Sequence, residues 1–74
     1  MSWQHQVADG FGQVDGIFAG HKSDADDAKK AIKAAKIAGA SLDDFSKEMI
    51  WHLYQAGAGR EHMAAQIERL KKIW

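Results

Sequence analysis

Apolar residues recur at helical spacing along most of this chain, and the pattern is clearest toward its C-terminal side. Leu42, Phe45, Met49, Leu53 and Ala56 fall three or four residues apart, with Ile50 and Tyr54 alongside, giving one wide apolar face. Ser41 opens this run as Ser-Leu-Asp-Asp, an acidic variant of the capping box in which the Ser hydroxyl accepts from the amide three residues on. A helix over 42–56 is predicted, broken by Gly57-Ala58-Gly59. The pattern resumes from Arg60 with Met63, Ile67, Leu70 and Trp74, widened by Ala64 and Ile73. So short a turn makes the two helices neighbours, and 42–74 reads as an αα-hairpin closing one seam.

Upstream, Ser23 precedes Asp24, Asp26 and Asp27, and Lys29, Lys30, Lys33 and Lys36 follow. Cap, acids and then bases is the order that the helix dipole favours. A helix over 24–38 is predicted, ended by Gly39, with Ala28, Ala31, Ile32, Ala35 and Ala38 on one side and the lysines on the other. An alanine face buries little area, so this helix should lie very close to its neighbour.

The first part of the chain sets pattern against propensity. Gly10, Gly12, Gly16 and Gly20 each disfavour a helix by roughly 1 kcal/mol relative to Ala. Yet Trp3, Val7, Phe11, Val14 and Phe18 are spaced so that a helix would gather them into a stripe roughly 80° wide. Tertiary packing of such a stripe outweighs propensity, which favours an amphipathic helix here. The expected fold is therefore an all-α single domain over 1–74, of three or four helices. A Gly-rich N-terminal segment spans 1–22 and a helical core 23–74.

Composition agrees: proline is absent, and few strand formers are present in the last fifty residues. At 74 residues the chain buries only about 60% of the surface its unfolded form would expose, so marginal stability is expected. No cysteine is present to form disulfides or supply thiolates, and a reducing cytoplasm fits best. The start lacks a basic segment followed by an apolar run, and no stretch is apolar enough for a membrane span, so a soluble chain is expected. Ten basic and ten acidic side chains cancel, leaving no global field toward nucleic acid or anionic lipid and no support for a cationic membrane-active peptide.

Catalytic and metal chemistry find little purchase. There is no Cys, no glycine-flanked nucleophilic Ser after a strand and no phosphate loop. His5, His21, His52 and His62 are not paired with one another at helical spacing, and Glu48 with His52 falls short of a ligand set. A core this small also leaves little room for a ligand pocket. The expectation is a non-enzymatic protein with no cofactor, no metal and no small-molecule substrate.

Three features point instead to a surface for another protein. Ala8, Gly12, Gly16 and Gly20 repeat every four residues, and in a helix they would form a bare ridge opposite the aromatic stripe that a second backbone could approach. A Gly-rich flexible arm is the plainer account of the same residues, since glycine-rich termini are commonly flexible. Trp51 stands at the edge of its helix's apolar face, and Trp3 and Trp74 lie at the two ends of the chain; each could complete the core or anchor an interface. Trp3, Phe11, Gly12, Gly16, Phe18, Gly20, Trp51 and Trp74 are accordingly the candidate interface residues, for self-association or for docking as a small accessory or inhibitor protein. On this reading Gly16→Leu would disrupt association and leave the hairpin folded.

A small DNA-binding regulator is the alternative, using Lys29, Lys30, Lys33 and Lys36, or the last helix through Arg60 and Arg69. The lysines lack interleaved aromatics, which favours a solvated face. A helix-turn-helix register with Gly57 at the turn admits Met63 but puts Leu53 where a small residue is needed and Gln66 where an apolar one is. Over less than half the chain, Leu53-Tyr-Gln-Ala-Gly57, Glu61, Ile67 and Leu70-Lys71 are faintly similar to the short C-terminal helical-hairpin modules that serve as oligomerisation tags.

Overall fold

The computed structural model describes residues 3–74. Five helices and one 3-10 turn follow in order: α1 (Trp3–Gln6), α2 (Ala8–Phe18), the turn Lys22–Asp24, α3 (Ala25–Ile37), α4 (Leu42–Gln55) and α5 (Arg60–Ile73). Among the described residues there is no strand, and the fold is an all-α small domain. The α4–α5 hairpin matches its predicted bounds almost to the residue.

The capping box forms as the sequence requires. The Asp44 amide donates to Ser41 Oγ at 3.1 Å, and the Ser41 amide donates to Asp44 Oδ2 at 3.0 Å. The Ser41 amide bond to the carboxylate, together with the Ser41 hydroxyl beside it and the nearby Lys47 charge, holds the Asp44 carboxyl below its ordinary value. At the other end of α4, Gly57 takes a φ of +88°, and the Ala58 amide reaches back to the Leu53 carbonyl at 2.9 Å. Gly39 closes α3 in the same way, with the Ala40 amide donating to Ala35. A side chain at either glycine would strain the left-handed conformation that the closure needs.

Two expectations change. The N-terminal stripe forms, but not as one helix: at Val7 (φ −109°, ψ 11°) the chain turns, and the Val7 carbonyl accepts from the Gly10 amide at 2.8 Å. The break turns α1 so that Trp3 stacks on Phe45, with ring centroids 6.1 Å apart. Ser23, expected as a helix cap, instead lies inside the 3-10 turn. Asp24 occupies the cap position of α3, and its side chain makes no capping bond.

The core draws one patch from each helix after α1. Phe11 and Val14 of α2 meet Ala28, Ala31, Ile32 and Ala35 of α3, Phe45, Met49 and Leu53 of α4, and Leu70 of α5. Val7 is buried with them. Phe45 is its hub, with Phe11 at 5.1 Å, Trp74 at 5.2 Å and Trp3 stacked above. Where α2 packs on α3, Gly10 lies directly on Ala31. A Cβ at position 10 would sit inside the van der Waals radius of the Ala31 methyl.

Candidate functional site

The eight candidate interface residues divide between the interior and the surface. Phe11 is buried in the core, and Trp3, Phe18 and Trp74 are half-buried against it. Lys36 Nζ donates to the backbone oxygen of Trp74 and lies 5.1 Å from its ring centroid, fastening that indole to α3.

The small-residue ridge is taken apart by the fold. Gly16 is buried, and a Cβ there would overlap Asp24 Oδ2, so its bare surface serves the turn into α3. Gly20 lies beyond α2 with φ +96°, ending the helix. Gly12 alone remains an exposed helical glycine, with nothing nearer than His52 Nε2 at 3.8 Å. The close backbone approach that small residues permit does occur, at Gly10 and Ala31, within the chain and on the opposite side of α2 from the ridge. Gly16→Leu would consequently disturb the chain's own α2–α3 turn before it reported on any partner.

Trp51 is the candidate that stands in solvent, at 58% exposure, stacked on Tyr54 at 65% with centroids 6.4 Å apart. Ile50 completes this ridge at 40% exposure. At 100° per residue Ile50, Tyr54 and Trp51 span an arc of about 100° on α4, turned away from the arc that carries Phe45, Met49 and Leu53. Ile50 then borders an open groove of about 390 Å³, floored by Met63, Ala64 and Ile67 of α5 and flanked by Arg60 and Glu68. The outer side of the hairpin is thus a continuous apolar face with charges at its edges. Met63 and Ile67 are half-buried against the core, as the sequence pattern predicts, and also line the groove, whereas Tyr54 and Ala64 of the predicted stripe are exposed. Their spacing gives a face wider than one neighbouring helix can cover, and that width was the available signal.

The cations of the nucleic-acid alternative do not share one face. Lys29, Lys33 and Lys36 line a groove with Ile17, Ala28, Ile32 and Ile73, while Lys30 opens onto a separate groove beside Gly10 and Ala31. Arg60 stands on the outer hairpin face, and Arg69 donates to Gln66 Oε1.

Gln66 marks a feature that the sequence pattern missed. It is wholly buried in α5, and its Nε2 donates to Asp15 Oδ1 at 2.6 Å, with His62 Nε2 at 2.9 Å from the same oxygen. The cluster ties α5 to α2 and leaves no buried side-chain polar atom unpaired among the described residues. A lone Gln at an apolar register position was the visible hint; its partner lies 51 residues upstream. Among the described residues no three His, Cys, Asp or Glu side chains gather into a metal-binding group, and no helix is long and apolar enough to cross a membrane.

Comparison of the chain with family models, with curated proteins and with solved structures finds no match.

Proposed function

We propose that this chain is a non-enzymatic protein–protein interaction module whose working face is the outer side of the α4–α5 hairpin. The observation that carries the proposal is the exposed Ile50–Trp51–Tyr54 ridge running into the groove over Met63, Ala64 and Ile67. Scattered exposed apolar residues are ordinary on a monomer, but a contiguous patch with a polar rim marks a contact surface. Trp and Tyr are also the side chains that most often anchor one. Self-association is the first form of the proposal, and docking as an accessory or inhibitor protein on a larger partner is the second. The cytoplasm is its proposed location, where a chain without cysteine forgoes nothing. Duplex DNA is the less favoured partner, since five of the six candidate cations are divided among three grooves, Arg69 is engaged with Gln66, and the lysine-lined groove has an apolar floor.

Sedimentation equilibrium up to high micromolar concentration tests the first form. The native chain is expected to associate reversibly, and the double variant Trp51→Lys, Tyr54→Lys to remain monomeric with its helical circular dichroism intact. A native chain that stays monomeric throughout removes self-association.

A further inference from the structure

The exposed face of α5 carries a charge pattern that is complementary to itself. Arg60, Ala64 and Glu68 lie four residues apart, so they form one ridge along the helix, with the base and the acid each one turn, about 6 Å, from the alanine. All three are exposed, and all three border the groove that Ile50, Met63 and Ile67 make apolar.

We propose that the occupant of this face is a second copy of the same chain, packed with α5 antiparallel to its counterpart on a twofold axis through Ala64. The register follows from the positions. An antiparallel pair centred on Ala64 sets Arg60 of each copy against Glu68 of the other, giving two opposite-charge pairs from one pair of residues. A parallel pairing would set Arg60 against Arg60 and Glu68 against Glu68, which is repulsive. Ala64 at the axis has only a methyl group to interpose, so the helices can approach to the short end of the usual 8–10 Å range. Met63 and Ile67 then meet across the axis, and Ile50 and Tyr54 of α4 close the sides. Glu68 already holds Lys71 of its own helix at 3.1 Å, and the carboxylate has capacity for the incoming Arg60 as well.

This inference rests on the reading of the hairpin face as an interaction surface, and the test separates the two. Arg60→Glu puts two acids on the ridge, and Glu68→Arg puts two bases there. Each variant alone is expected to dimerise at least about tenfold more weakly than the native chain in sedimentation equilibrium, because both cross-axis pairs become like-charged. Mixed in equal amounts, the two variants are expected to form a heterodimer within a few-fold of native affinity, since each pair across the axis is again opposite in sign. Arg60→Glu places an acid in the first turn of a helix, which the dipole favours, and circular dichroism of both variants should match the native chain. Dimers indifferent to either substitution, or variants that fail to recover on mixing, would overturn the register while leaving self-association standing. A native chain that never dimerises would overturn the register and self-association together.

Discussion

The two halves of this molecule solve the same packing problem with side chains of opposite size. Where α2 meets α3 the chain uses glycine and alanine beside Phe11, Val14 and Ile32: Gly10 lies on Ala31, Gly16 shelters beside Asp24, and Ala28, Ala31 and Ala35 form most of the buried face of α3. The α4–α5 hairpin uses Phe45, Met49, Leu53 and Leu70 inside, and still has Ile50, Trp51 and Tyr54 left outside. Small residues let backbones approach until their surface is used up within the fold. Large ones fill the core with apolar area to spare, and on the hairpin that spare area stays exposed. The difference explains why a search for an interface among the glycines leads inward, and a search among the aromatics of α4 leads to solvent.

The comparison can be broken at its strongest point first. Phe45→Ala removes the ring on which Trp3, Phe11 and Trp74 converge, and should cost about 3–5 kcal/mol. In a domain this small that approaches the whole stability, so chemical denaturation should show little or no folded baseline. The glycines of α2 give the next test. Gly10→Ala forces a methyl group against Ala31 and should destabilise by about 1–3 kcal/mol, because neither backbone can yield cheaply. Gly12→Ala, two residues along the same helix, meets only His52 at 3.8 Å and should stabilise by roughly 0.5–1 kcal/mol. Equal effects of the two substitutions in urea melts would mean that the α2–α3 contact is not as close as described.

Most of the fold was legible because its signals are local. Ser41 with Asp44, Gly39 and Gly57 sit within a few residues of the backbone groups they satisfy, so each predicted helix end from α3 onward falls within a residue or two of its observed place. Val7 was not legible as a break, since its apolar spacing fits a continuous helix equally well. What turns the chain there is the distant Phe45, on which Trp3 stacks. Gln66 and Asp15 are missed for the same reason: nothing near either residue announces the other. Of the proposed interface residues, Trp51 is exposed as its place at the edge of the apolar face predicts, whereas the glycine ridge was illegible in register. Four-residue periodicity says which residues share a helix face, but not whether that face looks outward.

A last pair of substitutions probes the cap that anchors the hairpin. Ser41→Ala should lower stability by about 1 kcal/mol in denaturant titrations. Because Asp44 is held below the ordinary aspartate value of 3.8, its contribution is complete above that pH and fades as acid protonates the folded state. Asp44→Ala should therefore flatten that part of the acid-unfolding curve, and an unchanged curve would show that this carboxyl contributes nothing to the acid dependence of stability.

The convergence of Trp3, Phe11 and Trp74 on one ring has a consequence for how the chain folds. Those partners come from α1, α2 and the residue that follows α5, so the hub cannot assemble from any neighbouring pair of helices. Non-local closure has to precede the reward for making it. Although every helix is short and locally specified, the domain should behave as a single cooperative unit, with no half able to hold a core of its own.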